Sequence, residues 1–265
     1  MIRKTHMSGH RRSERGFSLL ELVVVLTITA LLTALLFPGM RAARDSAQRL
    51  ICASNLRQLG MATITYSMNQ RGEQLPRSLV AQSGRRLDQM ALSWDGGADT
   101  ETIANRGRFI LGGPVFDGLG LLVEQNYCDS PKCLYCPSHT GRHTYEENAT
   151  ILQRTRLISG LKRTVFANYQ YVGDDGNSET LNTLDPEDIL ITDGFRTKAD
   201  FNHRIGMNQI MGDLSIQWWQ DEQNRFYLGL PDSPIDSVEE HGLIFNSIWG
   251  LVDEDYRIND ETNEN

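Results

Sequence analysis

Three groups of residues in this chain have types and spacings suited to chemistry. The first centres on Glu21, the only ionisable side chain between Phe17 and Phe37. A carboxylate inside an otherwise apolar helix is costly and marks a functional position. Cleavage after Gly16 would give Phe17 a free ammonium, four residues ahead of Glu21. The second group is Cys128-x4-Cys133-x2-Cys136, followed by His139 and His143, a spacing that suits zinc. Cys52 is the fourth cysteine. The readings open here are disulfides among Cys52, Cys128, Cys133 and Cys136, a metal site on Cys128, Cys133, Cys136 and His139, or free thiols; spacing does not give connectivity. The third group is His203 and Asp213, nine residues intervening, with Asn208 between them. Its expected role is structural: His203 and Asn208 bond loop backbone and Asp213 shapes a turn. Two side chains alone do not define a catalytic or metal site.

Other chemistry finds little support. The oxygen-rich stretch from Tyr171 to Glu179 lacks the ligand alternation of an EF-hand and reads as a solvated turn. No Gly-x-Ser-x-Gly, His-Glu-x-x-His or P-loop pattern occurs, so no catalytic residue and no enzyme activity are expected. No cofactor is expected either; zinc at the cysteines and calcium at the 171–179 loop are the alternatives.

The elements that must position these groups follow from hydropathy. As a helix, Phe17 to Phe37 would be roughly 31 Å long, which matches a hydrocarbon core of about 30 Å. Thr27, Thr29 and Thr33 can bond back to the preceding turn and so remain tolerable in lipid. Residues 1–16 carry Arg3, Lys4, Arg11, Arg12 and Arg15 against Glu14, a basic leader that should stay cytoplasmic and place the rest outside. The apolar run is longer than a secretory signal's, and Pro38-Gly39-Met40-Arg41 is a poor signal-peptidase site. A plain uncleaved anchor would explain the hydrophobicity, but not the boundary glycine or the buried acid.

Residues 38–70 read as an amphipathic extension with Ala43, Ala47, Leu50, Ala53, Leu56 and Leu59 on one face, a bend at Pro38, and an exit near Gly72. Residues 71–252 form a head with one core and no long helical periodicity. Short strands are expected at 165–172, 189–192, 207–211 and 215–219, the last two joined as a hairpin. The class is α+β: a long N-terminal helix packed on a head with a small antiparallel sheet. Residues 253–265 hold six acids against Arg257 and read as a solvated tail. The chain's net charge is −8; without its first sixteen residues it has 21 basic and 33 acidic side chains, a net of −12. That balance argues against nucleic acid as a partner, apart from a local patch such as Arg85, Arg86, Arg106 and Arg108.

Gly16-Phe17-Ser18-Leu19-Leu20-Glu21 resembles the prepilin cleavage and methylation motif of type IV pilins and type II secretion pseudopilins. The resemblance implies that a prepilin peptidase cuts between Gly16 and Phe17 and methylates the new terminus. It implies that Glu21 meets the amine of a neighbouring subunit in a filament, and that Pro38 stands where many pilins bend. It also implies an inner-membrane, single-pass protein with a periplasmic or extracytoplasmic head and other pilin or pseudopilin subunits as partners. Cys52-Ala53-Ser54-Asn55-Leu56-Arg57-Gln58-Leu59 and Tyr135-Cys136-Pro137-Ser138 are similar to elements of one bacterial pseudopilin-like branch. Members of that branch often carry a His-x9-Asp-Gly element, which His203 to Asp213 resembles; Leu214 replaces its glycine, and Gly212 precedes the aspartate instead. An anchored binding module with a Cys/His metal site, or an anchored enzyme, are the competing readings. On an ordinary polar helix face, Asn55, Arg57 and Gln58 would simply be solvated.

Overall fold

The computed structural model describes residues 17–94, 115–153, 164–172 and 180–263. Gly16 and the leader, Arg106 and Arg108, and residues 173–179 of the oxygen-rich loop lie outside them. The chain divides into two compact units, Met1–Asp45 and Ser46–Asn265. Helix α1 (Leu19–Met68) begins in the first and ends in the second, and it is continuous through Pro38.

In the first unit the local chemistry follows from the sequence. The Ser18 carbonyl accepts the first helical bond from the Leu22 amide at 3.1 Å. The Ser18 amide in turn donates to Glu21 Oε2 at 2.9 Å. This is the return half of a capping box, in which an acid at the third helical position covers the amide preceding the helix. Thr27 Oγ1 donates to the Val24 carbonyl at 2.8 Å, and Thr33 Oγ1 to the Thr29 carbonyl at 2.9 Å. The threonines thus satisfy themselves within the helix, as a lipid-facing segment requires. Every side chain from Phe17 to Phe37 is exposed. An apolar surface of that extent calls for lipid or neighbouring subunits, consistent with a single membrane anchor.

The second unit is built on an antiparallel sheet of order β3-β4-β5-β6: Tyr169–Tyr171, Ile189–Asp193, Gly206–Met211 and Ile216–Gln220. β5 and β6 form the expected hairpin, with Gly206 opposite Gln220 and Ile210 opposite Ile216. At its turn the Ser215 amide donates to Asp213 Oδ1 at 2.7 Å, and Leu214 sits at φ 66°. That left-handed geometry is one glycine adopts most readily. A second, two-stranded ladder joins β1 (Ser93–Trp94) to β2 (Val115–Phe116). Short helices α2 (Leu79–Gln82), α3 (Gly120–Glu124), α4 (Tyr145–Gln153) and α5 (Arg225–Gly229) and two 3-10 turns, Arg86–Asp88 and Pro131–Leu134, connect these pieces.

β5 is buried along its whole length because both faces of the sheet are covered. Ile210 and Ile191 join Cys52, Leu56, Leu59 and Tyr66 of α1 in one core. Met207, from the opposite face, joins Phe195, Phe201 and Phe226 in another. That second core is closed by Phe245, Ile248 and Val252 of α6 (Val238–Asn263). Three expectations are therefore corrected. Among the described residues the head has two principal cores and a smaller third, where one was expected. It contains a long helix, and the backbone of the expected tail continues that helix to Asn263. The buried stripe of α1 matches the expected one at Leu56 and Leu59 but not at Leu50, which is 73% exposed, and it also takes in Cys52. Gly60 allows this approach, since a Cβ there would collide with Ile210 and meet Leu214 Cδ2 at 3.1 Å.

One buried ion network ties the second core together. The Asp88 carboxylate, 2% exposed, pairs with Arg85 Nε at 3.0 Å and with Arg196 Nε, and lies 3.6 Å from His241 Nε2. Arg85 also donates to the Ile235 and Asp236 carbonyls, at 3.2 and 2.9 Å, just ahead of α6. Replacing Asp88 by alanine strands two largely buried guanidinium groups, which costs about 3–5 kcal/mol. Urea unfolding should show a lower midpoint with an unchanged slope; an unchanged midpoint would refute this role.

Candidate functional site

Two sites can be set beside the sequence expectations. At the N-terminus, Phe17 is 81% exposed directly ahead of α1. The Glu21 carboxylate holds the Ser18 amide and nothing else among the bonds described for it. A new ammonium at Phe17 would be made beside this helix start, where the unpaired amides already favour negative charge.

The second site lies in the second unit, and sequence spacing did not assemble it. Cys52 from α1, Cys136 from the loop after the second 3-10 turn, Asp193 at the end of β4 and His203 ahead of β5 bring their ligand atoms within 4.8 Å of one another. Cys52 and Cys136 are disulfide-bonded, with Cα atoms 5.5 Å apart, close to the usual spacing. Cys128 and Cys133 form the other pair, with Cα atoms 7.7 Å apart. Cys128, Cys133, Cys136 and His139, the alternative metal set that the spacing offered, are therefore not gathered around one point. Among the described residues, the only group positioned for a metal is the one containing Asp193 and His203.

Asp193 is the pivot of this cluster. Its side chain is fully buried, and burial pushes the carboxyl up to about 7, against the lowering effect of Asn208 and, less, Asn202. Asn208 donates its backbone amide and its side-chain Nδ2 to Asp193 Oδ2, at 2.7 and 2.8 Å. Asp193 Oδ1 has no hydrogen-bond partner by distance and angle. His203 Nε2 lies 3.4 Å from Asp193 Oδ2 and 3.8 Å from Cys136 Sγ. Asn208 thus bonds a buried carboxylate where loop backbone was expected, and His203 lies beside the same group. Asp213 is exposed at the hairpin turn, remote in role from His203. The partner that His203 does meet, Asp193, closes an apolar strand and carried no spacing signal.

The surrounding polar groups hold Cys136 in place. The Cys136 amide donates to Asn168 Oδ1 at 3.2 Å, and Asn202 Nδ2 donates to the Asn168 carbonyl at 2.7 Å. That fixes Asn202 Oδ1 as the acceptor from His139 Nδ1, 2.9 Å away. Burial lowers the pKa of His139 and of His143, favouring neutral rings in both. His143 Nε2 accordingly accepts from Arg196 Nη1 at 3.5 Å. Asn55 of α1 is not simply solvated: its Nδ2 donates to Tyr169 Oη at 3.1 Å and to the Tyr135 carbonyl at 3.3 Å. Arg57 and Gln58 are exposed, as a polar face predicts. An open cleft of about 550 Å³, lined by Ile51, Asn55, Lys132, Tyr145 and His139 among others, runs beside Cys136.

An apolar helix that begins with a capped acid, joined to an α+β head, is a pilin-like architecture. Residues 11–37 match the family profile described as the prokaryotic N-terminal methylation motif. The chain thus carries a prepilin-type N-terminus, consistent with the type IV pilin and pseudopilin family. No curated protein and no solved structure matches it.

Proposed function

We propose that this protein is a structural subunit made as a prepilin-like precursor and built into a type II secretion pseudopilus or a type IV pilus-like filament. A prepilin peptidase cuts between Gly16 and Phe17 and methylates the Phe17 amine. The chain is held in the inner membrane by residues 17–37, its leader cytoplasmic and its head extracytoplasmic. Assembly proceeds by packing of the N-terminal helices, and Glu21 sets register by pairing with the Phe17 amine of a neighbour. Hydrophobic contact supplies most of the energy; the ion pair supplies selectivity, because a mis-registered subunit leaves a charge unpaired in an apolar setting.

The observation that carries this reading is the methylation motif at residues 11–37, ending where the span of exposed apolar helix ends. Such a motif suits a subunit that is processed and assembled better than an enzyme. The test is processing in cells that contain a prepilin peptidase. The wild-type chain should lose its leader. A variant with Gly16→Trp should accumulate at full length, still membrane-bound. Equal processing of both would refute cleavage at this bond.

A further inference from the structure

We propose that, when the Cys52–Cys136 disulfide is open, Cys52, Cys136, Asp193 and His203 hold one divalent cation of the zinc class. The disulfide and the metal would then be alternative closures of the same gap between α1 and the sheet.

Four potential ligands of the right types converge from four separate elements, three of them buried and His203 nearly so. Zinc bonds of about 2.0–2.3 Å set tetrahedral edges of about 3.3 Å between N and O ligands and about 3.6 Å between S and N ligands. The observed separations are 3.4 Å for His203 Nε2 to Asp193 Oδ2 and 3.8 Å for His203 Nε2 to Cys136 Sγ. For a charge-assisted hydrogen bond the first would be long, since those lie at about 2.7–2.9 Å. It does suit two ligands facing a shared ion. Asp193 Oδ1, with Asn202 nearby, makes no hydrogen bond of good geometry and so has acceptor capacity to spare, where a fully buried carboxylate oxygen normally has a partner. Asn208, with its two donors on Asp193 Oδ2, would be the outer support that orients a ligating carboxylate.

The chemistry balances with a dithiol reductant. Two electrons and two protons pass from the donor to the Cys52–Cys136 bond, giving two thiols, and the donor leaves as its own disulfide. A Zn²⁺ ion then displaces both thiol protons to solvent and binds two thiolates, the Asp193 carboxylate and neutral His203. Either closure keeps Cys52 of α1 joined to the loop at Cys136. The head can therefore hold α1 before oxidation as well as after it.

The test uses the full-length protein in detergent, reduced with a phosphine under nitrogen, with Co²⁺ as probe and Zn²⁺ as competitor. Reduced wild-type protein should bind one Co²⁺ per chain, with thiolate-to-metal charge-transfer absorption that Zn²⁺ abolishes. Oxidised protein should show none. A Cys128→Ser/Cys133→Ser variant should keep the signal, since those cysteines are not ligands. His203→Gln should weaken binding by more than about 100-fold, beyond the range for residues that only support a ligand. The proposal is overturned if reduced wild-type protein shows no charge-transfer band. It is equally overturned if the band disappears with Cys128 and Cys133, or persists undiminished in His203→Gln.

Discussion

Replacing Glu21 by alanine should leave the chain inserted in the membrane and processed, yet reduce its assembly at least about 100-fold. The magnitude follows from leaving a neighbour's ammonium unpaired in an apolar setting, which costs about 3–5 kcal/mol. The same substitution also removes the bond from the Ser18 amide to Glu21 Oε2. Loss of such a cap costs only about 0.5–2 kcal/mol, so alanine alone cannot separate the two roles. Glutamine can. It fills the return half of a capping box as well as glutamate does, but it carries no charge to meet an ammonium. If Glu21 acts between subunits, Glu21→Gln should fail to assemble much as alanine does. Filament yield or helix-to-helix cross-linking reads the outcome. Normal assembly by the glutamine variant would reduce Glu21 to a helix cap.

The second large effect concerns the covalent tie between α1 and the head. The Cys52–Cys136 bond closes a sequence separation of 84 residues, whereas Cys128–Cys133 closes one of 5. Loop-closure entropy gives about 4–5 kcal/mol for the first and about 2 kcal/mol for the second. In oxidising buffer with a chelator, Cys52→Ala/Cys136→Ala should therefore lower the unfolding free energy by roughly twice as much as Cys128→Ala/Cys133→Ala. Denaturant midpoints of the full-length variants in detergent measure it. Equal losses, or a larger loss from the second pair, would contradict Cys52–Cys136 as the main staple.

The N-terminal site was legible because its information is local. Gly16, Phe17 and Glu21 lie within six residues, inside the stretch 11–37 that matches the methylation-motif profile. The sheet was legible for similar reasons. Alternating and β-branched runs marked β4, β5 and β6 to within a residue or two, and Gly212-Asp213 marked their turn. The first strand came out shorter than expected, Tyr169–Tyr171, because Val165 to Asn168 serve the core and the Cys136 loop without joining the ladder. Helix α6 was missed although Phe245, Ile248 and Val252 recur at helical intervals. Acidic residues from Asp253 onward dominated the composition of that segment and masked its apolar face. The grouping around Asp193 was not legible, although Cys52, Cys136 and His203 each stood out singly. Its members come from four elements, and only the pairing of β4 with β5 and the docking of α1 bring them together. Asp213 shapes the hairpin turn as its place after Gly212 suggested, while the carboxylate that faces His203 is Asp193, at the end of the neighbouring strand.

The most direct test of the central claim is the mass of the N-terminal peptide of the protein isolated from cells that carry a prepilin peptidase. A first residue of N-methylated Phe17, with no leader attached, is the predicted result. A mature protein that retains residues 1–16, or one cut elsewhere with an unmodified terminus, would contradict it.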